Sequence, residues 1–511
     1  MHRPQTLSLV ADLAWRPLFE AARPIVPPPR VHKFIDCDGG SDTTGTGTYA
    51  NPWKTPYTWT MQARPGEYWH LRGKGDPDTA SIYPLADGTP HDWITFGDWD
   101  GAPLHLPGPT GLQPVVTLDG RQRICLEQLT IDATNSSTMD GGAIRGNGQG
   151  CQHIVIRRNH VQVRSGAHGC QFFIDPSHIW IEDNDLDGHG RDDVRYANSG
   201  DGIAFGGNAT ASQCYAYRNR ITDFGHMGIQ ALTQVADRHN SGIYSGFNAV
   251  SSTLAGGIAY LRTDDSLVVG NLIDGIATND ASQSNSKEGI IVNGYRNGYY
   301  LNRIRDVHGP ALLLLVNAFG GIGQSCVEND IAGNACYGGD TFPLAVTLRT
   351  ATPDLHGLLT MAGNRYRGNV HARNMRNGQG GFYEGCIWQV WVTLGASGYL
   401  LAPAESERWC PGGVANVAER RLAGLTLTDN LFDPTGTSPT AGFLMFTASD
   451  ATQANVNSTY PASADAAAQF GAAVVRGNVE ADAGFTEEDP TDARWLTRRA
   501  EADAIAVVVG G

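Results

Sequence analysis

The feature that most constrains this chain is a short phrase that returns eight times between Cys151 and Asn369. Each copy consists of an apolar run, an asparagine, one variable residue and another apolar residue. Successive asparagines are 23 to 35 residues apart, and they stand at Asn159, Asn184, Asn219, Asn248, Asn271, Asn302, Asn329 and Asn364. Supersecondary units that repeat at such intervals indicate a solenoid, in which each unit buries its apolar face only against its neighbours.

A second phrase, a glycine followed by apolar residues, recurs between the asparagine phrases, at Gly200, Gly225, Gly256, Gly289 and Gly309. These runs are short, whereas a helical solenoid needs amphipathic runs of about 10 to 15 residues. Asparagine tolerates the left-handed backbone of a bend, and stacked asparagine side chains can hydrogen bond to one another. We therefore predict an all-β chain that forms a right-handed, single-stranded parallel β-helix, with a β-sandwich as the alternative.

The order of the segments predicts four regions. Residues 1–32 combine an amphipathic helix with a proline-rich spacer, and this segment either attaches the chain to other proteins or caps the solenoid. The β-helix occupies 33–375, an aromatic-rich hairpin projects over 376–424, and final coils with C-terminal strands occupy 425–511. Four aromatic residues of the hairpin favour a contact with another subunit over stacking on sugars: Trp388, Trp391, Tyr399 and Trp409.

Charge and cysteine usage restrict the partners and the compartment. The formal net charge of −15 argues against a nucleic-acid partner and against an anionic membrane surface. No run approaches the roughly 18 apolar residues of a membrane span. The nine cysteines are odd in number and follow no disulfide framework, which indicates assembly in a reducing compartment. Several lie in apolar runs and are predicted to be small core residues: Cys125, Cys151, Cys170, Cys214 and Cys326.

The segments FIDCDGGSDTTGTGTYANPWKT from Phe34, HDWITFGDWDGAPLHLPG from His91 and RICLEQLTID from Arg123 follow one another in a recognisable order. This order resembles the opening of bacterial and phage parallel β-helix proteins, pectate-lyase-like in fold, that act on polysaccharides. The resemblance covers roughly residues 33–370. It implies a bacterial surface polysaccharide as the ligand, but it is shared by lyases, hydrolases and non-catalytic spikes.

Within that resemblance, the lack of a recognisable export signal and the N-terminal attachment segment favour a phage tailspike-type virion protein that binds and depolymerises the polysaccharide. Such a protein is expected to be a homotrimer, assembled in the host cytoplasm and joined to other tail proteins through residues 1–32. The first alternative is a bacterial polysaccharide lyase or glycoside hydrolase that works outside the cell. The second alternative is a non-catalytic adhesive spike.

Loop lengths along one edge of the solenoid predict a groove. The loops after Asn184 and Asn271 are long, whereas those after Asn219 and Asn248 are short. Because adjacent coils lie about 4.8 Å apart, two long loops would enclose a floor roughly 10 to 15 Å wide, which suits a sugar chain. The walls and floor hold the candidate side chains: Asp187, His189, Arg191, Asp192, Asp193, Asp201, Asp223, His226, Asp280, Lys287 and Glu288.

The chemistry of polysaccharide cleavage selects among these side chains. Glycoside hydrolysis uses two carboxyl groups, whereas β-elimination uses a base together with a group that neutralises a uronate. Both sets are present, so the reaction class stays open. The predicted catalytic residues are Asp192, Asp193, Asp201, His226, Lys287 and Glu288, and the predicted substrate-binding residues are His189, Arg191, Asp223, Arg262, Tyr295 and Arg296.

Alternatives exist for each of these assignments. An aspartate in a β-helix turn often only caps the backbone, and the pair Asp192–Asp193 also fits a solvated turn or a calcium site. No zinc motif or phosphate loop is present, so no cofactor is predicted. A second candidate site lies on another edge and is equally compatible with a salt-bridged surface; its residues are Asp237, Arg238, His239, Arg262, Asp264, Asp265, Tyr295 and Arg296.

Overall fold

The computed structural model of the chain describes most of the segments that carry the repeat. The described residues are 7–77, 79–101, 104–107, 114–134, 142–164, 166–189, 200–235, 238–276, 287–319, 322–339, 344–348, 360–372, 386–394, 403–433, 442–450, 456–460, 462–471 and 474–480.

Contacts between residues divide the chain into two compact units. The N-terminal unit comprises Leu18–Gly257 with Asn279–Asn285, and the C-terminal unit comprises Met1–Pro17, Ile258–Thr278 and Ser286–Gly511. Within each unit, short strands pair in parallel with the corresponding strands of the next coil. The predicted fold class, a parallel β-helix, is confirmed, whereas the four region limits given above stay a prediction.

The N-terminal unit contains three stacks of strands. The first stack consists of Val31–Asp36, Glu67–Lys74, Ile94–Asp98, Gln122–Glu127, Gln152–Arg157, Ser177–Glu182, Ser212–Tyr217 and Asn240–Gly246. The second consists of Leu104–Pro107, Thr130–Ala133, His160–Val163, Asp185–Asp187, Arg220–Thr222 and Ala249–Ser251. The third consists of Val116–Thr117, Ile144–Arg145, Cys170–Phe172, Ile203–Gly207 and Met227–Thr233.

The C-terminal unit repeats the same three stacks. The first consists of Leu267–Val269, Gly298–Tyr300, Asp330–Ala332, Asn364–Arg367, Leu425–Thr428 and Val475–Arg476. The second consists of Leu272–Asp274, Arg303–Arg305, Ala335–Tyr337, Val370–Ala372, Leu431–Asp433 and Val479–Glu480. The third begins with Gly256–Leu261, whose first two residues belong to the N-terminal unit, and continues with Ile290–Val292, Leu312–Phe319, Leu344–Leu348, Cys386–Leu394 and Gly442–Asp450. Val456–Tyr460 closes it in the antiparallel direction.

Five further short strands are described in the C-terminal unit. Three of them form a small parallel sheet of their own: Gly294–Tyr295, Cys326–Val327 and Met361–Ala362. The fourth, Ile322–Gln324, pairs in the antiparallel direction with Leu312–Phe319. The fifth is the two-residue strand Thr263–Asp264.

The core of each coil follows from the alternation of side chains along a strand. In the N-terminal unit, Ile124, Ile154 and Ile179 lie in register on successive coils, and all three are fully buried. Cys214 and Ile243 continue this column on the next two coils. Each such aliphatic side chain contributes about 1.5 to 3 kcal/mol when it leaves water, so the stacked columns supply the main stabilisation of the fold.

Asparagines form a buried ladder in the N-terminal unit, as predicted. The side-chain oxygen of Asn184 accepts hydrogen bonds from the backbone and side-chain nitrogens of Asn159, both at 2.9 Å. In the same way, the side-chain oxygen of Asn219 accepts from Asn184, and that of Asn248 accepts from Asn219. The ladder therefore satisfies the polar groups of the bend that joins the first stack to the second.

In the C-terminal unit the asparagines form two ladders instead of one. One ladder links Asn271, Asn302, Asn334, Asn369, Asn430 and Asn478. The other links Asn297, Asn329 and Asn364 at a different bend. The sequence phrase placed Asn329 and Asn364 in register with Asn302, and this register is wrong because those two belong to the second ladder.

Helix α1, Leu7–Ala22, is packed against strands and does not stand free. In the N-terminal unit, Phe19 is buried and stacks on Tyr217 with 4.9 Å between ring centroids. Gly246 leaves the space for this ring, since a Cβ there would lie 2.4 Å from Phe19. Just beyond the helix, Arg23 Nε donates to the buried carboxylate of Glu182 at 2.9 Å. These side chains therefore pack on the strands of the N-terminal unit, and the attachment or capping role of residues 1–32 stays a prediction.

The other helices are short: α2 is Pro56–Thr60, α3 is Pro403–Trp409 and α4 is Ser463–Phe470, and Val417–Glu419 is a 3-10 turn. Among the described residues, no helix combines the length and the apolar character that crossing a bilayer requires.

The segment Cys386–Leu394 corrects the predicted hairpin. It pairs in parallel with Leu344–Leu348 on one side and with Gly442–Asp450 on the other, so it is an ordinary strand of the third stack. Trp409 does not project from the fold either, because it is fully buried and its indole N–H donates to Glu405 at 3.0 Å. Tyr399 lies outside the described residues.

The cysteines whose side chains are described behave as core residues, as predicted. Cys125, Cys151, Cys170, Cys214 and Cys326 are buried thiols without a disulfide. Burial raises the pKa of Cys170 to about 12, so this thiol stays protonated and unreactive at neutral pH.

Candidate functional site

The two predicted walls of the groove lie largely outside the described residues. This holds for Arg191, Asp192 and Asp193 of the first wall, for Asp280 of the second wall, and for Asp237 of the alternative edge. Their roles, including the calcium alternative at Asp192–Asp193, stay predictions. The described part of the chain contains the remaining candidates.

Asp201 and His226 form a tight pair in the N-terminal unit. Oδ1 of Asp201 lies 2.7 Å from Nδ1 of His226 and also accepts the backbone N–H of Met227 at 3.1 Å. Only 2% of the Asp201 side chain is exposed, whereas 21% of the His226 side chain is exposed. The pair therefore joins a carboxylate shielded from water to an imidazole that solvent reaches.

The position of this pair follows from the strand register of the third stack. Ile203 pairs with Ile229, which places Asp201 opposite Met227 and next to His226 on the following coil. Both residues precede their strands at the bend that leads from the second stack to the third. The sequence indicates these positions, because Asp201 and His226 are the second residues of the glycine phrases GDGIAF and GHMGIQAL, just before the apolar run of each strand.

His168 is a third member of the cluster, and sequence reasoning missed it. On the preceding coil, Cys170 pairs with Ile203, so His168 lies opposite Asp201. Nδ1 of His168 accepts the backbone N–H of Asp201 at 3.0 Å, and it lies 3.5 Å from Oδ2 of the same residue. The motif AHGC, just before the strand that begins at Cys170, could have indicated His168. Because the loops between coils differ in length, the sequence does not show that His168 aligns with Asp201.

The protonation states follow from these contacts. Burial alone would raise the pKa of Asp201, but the charge and hydrogen bond of His226, with the contributions of His168 and the Met227 N–H, lower it below its ordinary value. An ionised carboxylate only accepts, so Nδ1 of His226 carries a proton. Because Nδ1 of His168 accepts a backbone N–H, a neutral His168 carries its proton on Nε2.

Further predicted residues surround this bend. Oδ1 of Asp187 accepts the backbone N–H of His189 at 3.1 Å and lies 3.0 Å from its ring nitrogen Nδ1. Asp223 is half-buried and stands three residues before His226 in the same bend, with a left-handed backbone at φ +59°. Part of the predicted floor and of the first wall is therefore assembled in one unit.

Lys287 and Glu288 belong to the C-terminal unit. Glu288 is buried, and its Oε2 accepts the backbone N–H of Lys287 at 2.8 Å. The Lys287 carbonyl in turn accepts the backbone N–H of Gly309 at 2.9 Å. These contacts show how Glu288 supports its own loop, and its predicted catalytic role stays a prediction.

Arg262, Asp264, Asp265, Tyr295 and Arg296 are the part of the alternative edge that belongs to the C-terminal unit. Arg296 forms a bidentate ion pair with Asp265, with N–O distances of 2.7 and 2.8 Å. These hydrogen bonds lower the pKa of Asp265. Asp264 accepts the backbone N–H of Tyr295 at 3.0 Å, and the Arg262 side chain is buried. For Asp265 and Arg296, the structure therefore agrees with the salt-bridged surface given above as the alternative.

Comparison with known proteins adds little to the site. No family model matches the sequence, and the search of the curated proteins found no match. Among solved structures, the GH136 lacto-N-biosidase from Eubacterium ramulus is 12% identical, covers 82% of this chain and 67% of its own, and has a TM-score of 0.40. The GH87 α-1,3-glucanase from Streptomyces thermodiastaticus is 13% identical, with coverages of 81% and 67% and a TM-score of 0.41.

A third structure, a mannuronic acid specific polysaccharide family 6 lyase from human gut microbiota, is 11% identical, with coverages of 79% and 86% and a TM-score of 0.36. At such identities and scores, none of the three carries an activity or a residue role over to this chain.

Proposed function

We propose that this chain is a polysaccharide-depolymerising enzyme in which His226, oriented by Asp201, is the general base. The observation that carries the proposal is the buried, ionised carboxylate held against Nδ1 of a partly exposed imidazole. The substrate class comes from the sequence resemblance of residues 33–370 to polysaccharide-active β-helix proteins. The fold is compatible with this class but does not identify it.

The pair has the physical properties of an oriented base. Because Nδ1 of His226 is hydrogen bonded to Asp201, proton transfer to or from a substrate takes place at Nε2. When Nε2 accepts a proton, the imidazolium forms next to a carboxylate that water does not screen, so its positive charge is stabilised. A positioned base of this kind accelerates a reaction by about 10² to 10⁴.

The same base serves either reaction class. In hydrolysis, His226 takes a proton from the water that attacks the anomeric carbon, and the glycosidic C–O bond breaks. In β-elimination, His226 takes the proton next to the carboxylate of a uronate, a C=C bond forms, and the C–O bond at the β carbon breaks. In both reactions the leaving oxygen takes up a proton. His168, whose Nε2 carries the proton in the neutral ring, supplies a donor on the opposite side of Asp201. The products separate the two classes, as described below.

The phage tailspike context, the virion location and the attachment to other tail proteins are finer proposals that rest on the sequence alone. The bacterial lyase or hydrolase needs only the oriented base and the substrate class, so we place it first. A non-catalytic spike is the outcome that the following experiment would establish if the proposal fails.

The test measures product release from a panel of bacterial capsular and exopolysaccharides, with alginate and pectate included. Asp201→Asn and His226→Ala should each reduce the release by about 10²-fold or more, because each removes the oriented base. Ultraviolet absorbance from an unsaturated uronate indicates elimination, and new reducing ends without that absorbance indicate hydrolysis.

The chain offers a matched control. His160 Nδ1 lies 3.2 Å from Asp185 Oδ2 in a second His–Asp pair of the same unit, but both side chains are exposed to solvent. His160→Ala and Asp185→Asn should leave product release unchanged. Circular dichroism verifies that all four variants are folded. Unchanged release in the Asp201 and His226 variants, or no product from any polysaccharide with the wild type, would refute the proposal.

A further inference from the structure

A pocket of about 470 Å³ opens on the surface of the C-terminal unit, at the bend that leads into its first stack. Its wall is a grid of two columns on three successive coils. One column holds Arg296, Glu328 and Gly363, and the other holds Gly298, Asp330 and Arg365. The two arginines thus occupy opposite corners, the two glycines occupy the other corners, and the carboxylates lie between them.

The glycine at one corner creates the opening. Arg296, Glu328 and Gly363 all have left-handed backbones, with φ of +58°, +56° and +66°, because they form the same bend on successive coils. A side chain at Gly363 would continue the column and would meet Glu328, whose Cγ lies 3.1 Å from the position of a Cβ. Without it, the space beside Glu328 and Arg365 stays open.

The charges around the pocket balance. The two arginines and two carboxylates of the grid have no net formal charge. Their flanking partners are also balanced, since Asp265 pairs with Arg296 and Arg367 pairs with Asp330 at 2.6 Å. The guanidinium groups remain accessible, with 52% of the Arg296 and 59% of the Arg365 side chain exposed. The pocket therefore offers both donors and acceptors without attracting either sign of charge.

Tyr300 gives the pocket a fixed wall. Its ring stacks on Trp15 of α1 with 5.3 Å between centroids and an angle of 11°. Its hydroxyl donates to Asp330 at 3.2 Å, and its ring lies over Gly298, where a Cβ would come within 2.4 Å. Because these contacts hold both the ring and the carboxylate in place, little ordering is needed when a ligand enters.

We infer that this pocket binds a neutral sugar unit of a polysaccharide. Sugar hydroxyls donate and accept at the same time, which matches a site that presents exposed guanidinium donors next to the exposed carboxylate of Glu328. The zero net charge favours a neutral sugar over a uronate, and the volume lies in the range of small-ligand pockets. The site shares the substrate class of the proposed function but contributes no group to catalysis.

The test uses saturation-transfer NMR with methyl glycosides of glucose, galactose, mannose and N-acetylglucosamine at millimolar concentration, and with methyl glucuronide as the acidic probe. The wild type should bind at least one neutral glycoside more tightly than the glucuronide. Gly363→Asn should weaken this binding about tenfold or more, because asparagine tolerates the left-handed backbone but fills the opening. Arg365→Ala, which removes an exposed donor, should weaken it in the same direction.

Gly368→Asn is the matched control. Gly368 lies on the same coil with a φ of +59°, and a Cβ there meets nothing within 4 Å. This variant should bind like the wild type. The inference is overturned if no neutral glycoside binds, if only the glucuronide binds, or if Gly363→Asn binds as well as Gly368→Asn. Asp201→Asn should keep sugar binding while losing cleavage, so a failure here is distinguishable from a failure of the proposed function.

Discussion

At the scale of single residues, burial decides what a titratable group can do in this chain. Asp201 is buried yet stays ionised, because His226 and the Met227 N–H bind the charged form. The sequence predicted both Asp201 and His226, since each adjoins a glycine phrase at a bend. It could not predict His168, because the partner of a bend residue depends on coil register, and loops of unequal length conceal that register.

His371 shows the opposite case. It is buried in the strand Val370–Ala372, and its Nε2 lies 2.7 Å from the hydroxyl of Tyr366. Burial lowers its pKa from 6.5 to about 3, so the folded state keeps this imidazole neutral while the unfolded state binds a proton below pH 6.5. Protonation of His371 therefore does not reduce the free energy of unfolding above pH 6.5, and it reduces this free energy progressively as the pH drops towards 3.

We expect the free energy of unfolding to fall by about 1.4 kcal/mol per pH unit through this single group between about pH 6 and 4. His371→Gln removes the titration, so its curve of stability against pH should be flatter than the wild-type curve by that slope. Urea unfolding at several pH values measures both. His105→Gln, at an exposed position, should retain the wild-type slope. Parallel curves for wild type and His371→Gln would contradict the prediction.

At the scale of elements, the asparagine ladders explain how the bends remain buried without unsatisfied backbone groups. Asn334 shows the pattern in the C-terminal unit. Its Nδ2 donates to the carbonyl of Tyr299 and to Oδ1 of Asn369, both at 2.9 Å, and its own Oδ1 accepts from Asn302. The sequence predicted that a ladder exists, but one phrase could not separate two ladders that both place asparagine before a variable and an apolar residue.

Asn334→Leu should therefore cost at least about 2 kcal/mol, because the backbone N–H of Asn302 and the carbonyl of Tyr299 would both lose a buried partner. Thermal or urea unfolding followed by circular dichroism measures the loss. Asn51→Leu is the control: Asn51 is exposed, and its side chain donates a hydrogen bond to the Thr44 carbonyl at 2.8 Å. Equal stabilities of the two variants would show that the ladder asparagines do not stabilise the coils.

The strand Cys386–Leu394 shows why aromatic density misled the prediction of a hairpin. A strand that is buried on both faces of a parallel sheet has an apolar sequence along its whole length, whereas a strand with one solvent-exposed face alternates apolar and polar residues. The sequence CIWQVWVTL fits the first case. Residues 395–424 separate this strand from the next asparagine phrase, so no sequence register linked it to the third stack.

At the scale of the whole molecule, exposed apolar side chains are few among the described residues. The large ones are Leu18, Ile25, Val31, Tyr49, Tyr57, Leu85 and Val417. Part of the outer face of the first stack in the N-terminal unit is covered by Phe19 of α1 and by Arg23 just beyond it, which contact Tyr217 and Glu182. Both Tyr217 and Glu182 are buried, although strand alternation points them away from the coil interior. The residues predicted as a subunit contact, Trp388 and Trp391, belong to a strand that pairs on both sides.

The homotrimer predicted from the tailspike resemblance can be tested by light scattering, which should give three times the 54.7 kDa of the chain. Each chain carries a formal net charge of −15, so association opposes a repulsion that salt screens within about 10 Å at 0.1 M. A genuine trimer should therefore weaken as the ionic strength falls, whereas a monomer shows one mass at every salt concentration. A monomer at all ionic strengths, with unchanged thermal stability, would exclude the trimeric spike and leave the monomeric depolymerase.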